Sequence, residues 1–331
     1  MNLSIVGGGS WGTALAIVLA PRFERIRQWV YEPELAAQMA QTRENAAYLP
    51  GFRLPDCVGP SADLPWTLEG AHIVLGVMPS QHARGIYSAM ARHLPPSAIV
   101  VSATKGIEKG SLLRISEVIC QVLTPHFEPQ IAVLSGPTFA REIARGEPAA
   151  VVVASHDAAA ARTVQTAFSG PTFRLYTNSD PAGVELGAAL KNIVAIAAGV
   201  CQGLGLGSNT QAALIARGLA EITRLAIAVG GQPQTLSGLA GLGDLVLTCS
   251  GDLSRNRKVG LELARGRPLP EIVGSMNMIA EGIETCDAAV ALGRKFHVDL
   301  PIIEQMHAVL HASQSPQAAV RQLMERSLKS E

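Results

Sequence analysis

Residues 5–16 read IVGGGSWGTALA, and how this stretch is read decides the fold. Three consecutive glycines permit several frames, but only Gly7, Gly9 and Gly12 satisfy G-x-G-x-x-G, because a frame begun at Gly8 puts Ser10 where the second glycine must stand. The register is therefore unique. LSIV (3–6) supplies an apolar strand before the turn and TALAIVLA (13–20) a helix after it, the setting in which such a loop cradles a dinucleotide rather than only bending the chain. Gly7 then permits the turn, Gly9 lets the backbone approach a pyrophosphate, and Gly12 allows close helix packing. Unpaired N–H groups at the helix start face the phosphates. Glu32 follows Gly12 by twenty residues, at the expected close of the second strand, where a carboxylate accepts hydrogen bonds from an adenosine ribose.

Working outward, IRQWVY (26–31), HIVLGV (72–77), AIVVSA (98–103), QIAVLS (130–135), AAVVVA (149–154) and FRLY (173–176) continue the strands. Helix-length segments such as PELAAQMAQ (33–41) and QHARGIYSAMARHL (81–94) separate them. Apolar runs in this rhythm predict an α/β fold, a doubly wound, mainly parallel Rossmann sheet covered on both faces. After NSDPAG (178–183) the β-branched runs stop, and Val184 to Gly230 reads as long helices rich in Ala, Leu and Gly. The expected division is a dinucleotide-binding domain over 1–180 and an all-helical, substrate-binding domain over 181–331, with the boundary between Asn178 and Pro181.

Composition limits the function. A chain of 331 residues, 48% hydrophobic, can bury two sizeable cores. Lys plus Arg and Asp plus Glu both total 27, so no global field recruits nucleic acid or an anionic membrane, and any anion site must be built locally. Five widely spaced cysteines fit reduced thiols, and the eight histidines show no ligand spacing, so no metal is expected. Ile5 to Ala20 is apolar enough to imitate a signal peptide but lacks its basic region, and no later stretch reaches ~18 uninterrupted apolar residues. A soluble, cytoplasmic protein without membrane insertion is expected.

In an open parallel sheet, ligands gather at the carboxyl ends of the strands. Three strand ends are unusual: Met78-Pro79-Ser80, Thr104-Lys105-Gly106 and Gly136-Pro137-Thr138-Phe139-Ala140. Lys105 fits a solvated loop as well as a site on its own residues. Lys191 is sharper, because it is the only charged residue between Glu185 and Arg217 in a long apolar run. Either it snorkels to water, or it lies in a cleft where desolvation and nearby positive charge lower its pKa toward the range useful for proton transfer; the second reading is favoured. In AGLGDLVLTCSGDLSRNRKVG (240–260), Asp244 and Thr248 share a face if helical, and Ser254-Arg255-Asn256-Arg257 suits a phosphate as well as a solvated basic turn. Together these imply hydride from a nicotinamide, a proton from a lysine and a phosphorylated small-molecule substrate.

The residues resemble the NAD(P)-dependent glycerol-3-phosphate dehydrogenases along nearly the whole chain. The motifs that carry the resemblance are GGGSWGTALA, NAAYLPG, ATKGIE, SGPTFAREIA, LKNIVAIAAG, TQAALIARGLAE, AGLGDLVLTC, SRNRKVG, AEG and LPIIEQMHAVL, in the family's order and spacing. The resemblance implies reduction of dihydroxyacetone phosphate to sn-glycerol 3-phosphate, the backbone precursor of glycerophospholipids, with NAD(H) or NADP(H). It implies Lys191 as general acid/base and Lys105 as a second active-site lysine touching substrate and cofactor. Asp244 and Asn192 would orient the lysine and hydroxyls, with Gly136 and Thr138 as further substrate contacts. Ser254, Arg255 and Asn256 would take the phosphate end. Cofactor contacts would come from Gly7, Gly9, Ser10, Trp11, Gly12, Tyr31, Glu32, Lys105, Ala140, Arg255, Ile279 and Glu281, with Tyr48 near the nicotinamide.

Two departures stand out. Gly8 replaces the family's usual alanine, and Tyr31-Glu32 stands where many bacterial members carry a basic residue for a 2′-phosphate. An acid there favours NAD by repulsion, yet members with an acid can use NADPH, so both cofactors stay open. The rivals are a β-hydroxyacid or 6-phosphogluconate-type dehydrogenase, against which SGPTFA and the AGLGD…SRNR pairing argue, and a non-catalytic NADH-sensing regulator. A homodimer is the assembly considered.

Overall fold

The structure is a computed structural model that describes residues 1–276 and 280–328. Eight strands form one sheet: β1 (Asn2–Val6), β2 (Arg25–Trp29), β3 (Val58–Ser61), β4 (Ile73–Gly76), β5 (Ile99–Ser102), β6 (Gln130–Ser135), β7 (Ala149–Ala154) and β8 (Phe173–Asn178). Their order is β3-β2-β1-β4-β5-β6-β7-β8, and only the β6–β7 pair is antiparallel. The chain order reverses between β1 and β4, where Val6 pairs with Trp29 on one side and Gly76 on the other. A crevice opens at such a reversal, outside the strand ends. β4 and β5 are buried at every residue, as expected of strands covered on both faces.

Two details differ from the sequence reading. β3 was not expected, because Gly59 and Pro60 interrupt its β pattern; an edge strand tolerates such a proline, which need not donate to a neighbour. β2 stops at Trp29, so Glu32 does not close the strand but precedes the Pro33–Thr42 helix at its N-cap position.

Beyond β8 the regular elements among the described residues are all helices, so a Rossmann-like N-terminal domain is followed by a helical one. The Pro181–Gly203 helix starts on proline, and Asp180 Oδ1 accepts from the Gly183 N–H at 2.8 Å. Its mean hydropathy and its 23 residues would suit a membrane span, but its most apolar window is wholly buried inside the protein. It is the core helix of the second domain. The Arg255–Ala264 helix crosses it where Gly199 meets the Arg257 carbonyl and Gly260 meets the Ile196 carbonyl; a Cβ at either glycine would collide with backbone. This close crossing sets Ser254-Arg255-Asn256 against the helix that carries Lys191.

Glu221, buried in the Ser208–Ala228 helix, accepts from the Ile302 and Ile303 N–H groups at 2.8 and 3.2 Å and so holds the start of the Pro301–His311 helix. Burial pushes its carboxyl up to about 7 against those two bonds. A raised folded-state pKa gives stability that is present at acid pH and lost as pH climbs through about 7. Glu221→Gln, which cannot ionise, should therefore gain on the wild type between pH 5 and 8; a difference in melting temperature that stays flat over this range would contradict the assignment.

Candidate active site

The glycine loop is built as packing demands. At Gly7, φ is +142° and a Cβ would strike the Val77 carbonyl; at Gly12 a Cβ would strike the Gly7 carbonyl; at Gly9 nothing lies within 4 Å. Two glycines thus close the turn, and the third presents bare backbone to open space. Gly8 also has a local reason, since a Cβ there would come within 2.7 Å of the Val30 side chain. Side chains tie the loop down from behind: Gln28 donates to the Gly7 carbonyl at 3.1 Å, and Asn45 donates to the Gly8 carbonyl at 2.7 Å and to Thr13 Oγ1 at 2.8 Å. Ser10 and Trp11 begin the Ser10–Leu19 helix, which no side chain caps, so its first N–H groups remain open to an anion. The buried Trp11 Nε1 has no partner among the described residues. An uncapped helix start, an open Gly9 face and an orphaned indole N–H fit a pyrophosphate-bearing dinucleotide.

At the strand ends, two lysines converge on one carboxylate. Lys191 Nζ donates to Asp244 Oδ1 and to Thr248 Oγ1, both at 2.6 Å, and Lys105 Nζ donates to Asp244 Oδ2 at 2.7 Å. Lys105 also donates to the Gly136 carbonyl at 3.1 Å and to Thr138 Oγ1 at 3.2 Å. Asp244 and Thr248 do share a face of the Asp244–Ser250 helix, and both are buried. Three acceptors use all the donors of the Lys105 ammonium, whereas two leave Lys191 with one N–H to spare. Burial pushes Lys191 down to about 8; Asp244 opposes the shift, and the Lys105 charge adds to it. The strand-end positions of Lys105, Gly136 and Thr138 are thus brought to Lys191 by the second domain's Asp244.

Asn192 makes no hydrogen bond to Lys191 among the described residues. Its side chain accepts from Asn256 Nδ2 at 3.0 Å, and Asn256 Oδ1 accepts from the Gly282 N–H at 3.0 Å. Next to Gly282, the Glu281 carboxylate reaches the first domain and accepts from Ser80 Oγ at 2.7 Å and Ser80 N at 3.3 Å. Arg255 lies close enough to Glu281 for the two charges to act on each other, yet its half-buried guanidinium makes no hydrogen bond or ion pair among the described residues. Arg257, by contrast, donates through Nη1 to Asp252 and the Gly251 carbonyl, while its buried Nε has no partner among the described residues. Ser254 is buried and caps its own helix through the Arg257 N–H at 3.2 Å. That helix start and the adjacent guanidinium are groups that can receive an anion in a chain with no net charge.

Tyr48 pairs with the residue expected to meet the adenosine ribose. Its hydroxyl donates to Glu32 Oε1 at 2.9 Å, so Tyr48 stands with Glu32 rather than with the lysines. Tyr31 is 74% exposed. Ala140 begins the short Ala140–Ala144 helix after the Gly136 loop. Ile279 lies outside the described residues. Sequence reasoning missed the roles of Asn45, Gln28 and Ser80, whose partners are backbone groups or lie far along the chain; only the position of Ser80 after β4 carried a signal.

Comparison with known proteins extends the match. The family model described as the NAD-dependent glycerol-3-phosphate dehydrogenase N-terminus matches residues 2–161, and the C-terminus model of the same family matches 180–321. A Koribacter versatilis protein named glycerol-3-phosphate dehydrogenase [NAD(P)+] is 53% identical over 98% of this chain and 97% of its own. One from Geobacter sp. (strain M21), of the same name, is 50% identical over 100% and 98%. A crystal structure of glycerol-3-phosphate dehydrogenase from Coxiella burnetii superposes with a TM-score of 0.93 at 40% identity, covering 98% of this chain and 99% of that one.

Proposed function

The chain belongs to the NAD-dependent glycerol-3-phosphate dehydrogenase family, and within it we propose that this protein reduces dihydroxyacetone phosphate to sn-glycerol 3-phosphate, reversibly, with Lys191 as the general acid/base. The observation that carries the lysine's role is its spare N–H in a buried setting, beside a Lys105 whose three donors are all engaged.

A bound NAD(P)H supplies the hydride. This chain's residues do the rest. Lys191 gives its proton to the substrate oxygen in reduction and takes it back in oxidation, its proton affinity set by burial against Asp244. Lys105, Gly136 and Thr138 shape the carbonyl end of the site. Arg255, with Ser254 and Asn256 at the same helix start, receives the phosphate. Glu32 accepts from the ribose hydroxyls, and Glu281, with Gly7, Gly9, Ser10, Trp11, Gly12 and Ala140, lines the dinucleotide cleft. We place the domain boundary near residue 180 and infer a cytoplasmic enzyme supplying glycerophospholipid synthesis; a homodimer is compatible with this reading.

Steady-state turnover of dihydroxyacetone phosphate with NADH and with NADPH, beside hydroxyisobutyrate and phosphogluconate with the oxidised cofactors, tests the reading. Activity confined to the acids would overturn it, and dinucleotide binding without turnover of any triose phosphate would favour a sensor. In the same assay Arg255→Ala should raise KM for dihydroxyacetone phosphate about 10- to 100-fold, the loss expected of a charge-assisted contact. An unchanged KM would remove Arg255 from the phosphate site.

A further inference from the structure

The contacts around the cleft form a closed circuit. From Lys105 it runs through Asp244 to Lys191, from Asn192 through Asn256 to Gly282, and from Glu281 through Ser80 back to Gly106, the neighbour of Lys105. At Gly106 a Cβ would crowd both Ser80 Oγ and, at 3.1 Å, Glu281 Oε2, so the lysine loop leans directly on the Ser80–Glu281 pair. Ser80 is the link in this circuit to which neither the sequence nor the comparisons assign a role.

Several features show that this link is built. Ser80 is 1% exposed and starts the short 3-10 turn Ser80–His82 after β4, at the strand reversal. Its hydroxyl, while donating to Glu281, accepts from Gln81 Nε2 at 3.2 Å, which fixes the direction of the donated proton. Gln81 is itself held, donating to the Ile107 carbonyl at 2.9 Å and accepting the Lys109 N–H at 2.9 Å. Lys109 in turn pairs with Glu284 and Asp287 on the helix that Glu281 begins. Both ends of the Ser80–Glu281 contact are therefore anchored to each other by a second route across the domains.

We propose that Ser80 is a positioning residue of the cofactor cleft, whose hydroxyl and amide N–H hold the Glu281 carboxylate so that its remaining acceptor sites meet the hydroxyl or carboxamide donors of the dinucleotide. A carboxylate offers about four lone-pair sites, and Ser80 takes two of them. The other two accept no hydrogen bond among the described residues, and a ligand presenting O–H or N–H groups, as a ribose or a nicotinamide carboxamide does, could fill them beside the Arg255 charge. This inference rests on the dehydrogenase reading, in which Glu281 touches the cofactor.

The test is direct titration of the purified full-length protein with NADH and NADPH, read by nicotinamide fluorescence, together with KM and kcat for dihydroxyacetone phosphate reduction. Ser80→Ala, which removes one oxygen and adds no bulk, should weaken dinucleotide binding about tenfold, the loss of one charge-assisted hydrogen bond. It should raise the KM for the cofactor in step while lowering kcat at saturation far less. Because Ser80 acts through Glu281, Ser80→Ala placed in a Glu281→Ala background should weaken binding no further. Dinucleotide affinity within twofold of wild type in Ser80→Ala, or losses that add in the double variant, would overturn the proposal while leaving the dehydrogenase reading intact if wild-type turnover is normal. A wild-type protein that binds neither dinucleotide would overturn both.

Discussion

Replacing Lys191 by alanine should lower kcat for dihydroxyacetone phosphate reduction by at least ~10²-fold, the lower range for loss of a general acid, while dinucleotide affinity changes little. The substitution removes the only ammonium of the pair with an uncommitted donor, and Lys105, held by Gly136, Thr138 and Asp244, has no proton to redirect without breaking one of those bonds. The pH dependence should carry the signature of the same group. With Lys191 pushed down to about 8, the charged lysine that donates in reduction is depleted as pH rises through about 8, so kcat for reduction falls there. Oxidation needs the neutral amine, so its kcat should rise over the same interval. Stopped measurements of both directions between pH 6 and 10 check this; a residual kcat near wild type, or two limbs that fail to mirror each other, would take the role from Lys191.

How much of this was legible in the sequence depends on the range of the interaction. The glycine frame was legible because Gly12 answers to the Gly7 carbonyl five residues back and Gly7 takes a positive φ in the turn itself, and a fixed spacing records both, although the Val77 carbonyl that Gly7 also meets is far along the chain. Lys191 was legible by contrast with its apolar run, and Asp244 with Thr248 by their four-residue spacing on one helix. What could not be read were pairings between distant segments. Nothing near Ser80 in the chain announces Glu281, 201 residues on, and the two arginines of SRNR look alike until Asp252 and the Gly251 carbonyl claim Arg257. Tyr48 shows the same limit: its motif was recognisable, but nothing in it announces the hydroxyl's bond to Glu32, sixteen residues back. The edge strand β3 was hidden because Pro60 is tolerated only at an edge, and edge position is a property of the assembled sheet.

Asp244 is where the two domains' chemistry meets, and Asp244→Asn should be as damaging as loss of Lys191 for a different reason. One carboxylate, 1% exposed, balances two ammonium groups, one on each of its oxygens. The amide keeps the shape but not the charge, so burial and the mutual repulsion of Lys105 and Lys191 act on the lysine without opposition. The Lys191 pKa should fall further, because Asp244 is what now raises it. At neutral pH the proton donor would then be mostly neutral, and kcat for reduction should drop by ~10²-fold or more, recovering in part as pH is lowered, with the alkaline limb displaced to lower pH. Breaking a buried pair by removing one partner also destabilises, by about 3 kcal/mol here at the low end of the usual range, because the outer lysine is partly reached by solvent. Lys105→Ala in the Asp244→Asn background should recover part of that stability, since it relieves the repulsion that the lost carboxylate had offset. If the alkaline limb of Asp244→Asn instead stays near pH 8, the proton affinity of Lys191 is set by burial alone and the shared carboxylate serves only to hold the two lysines in place.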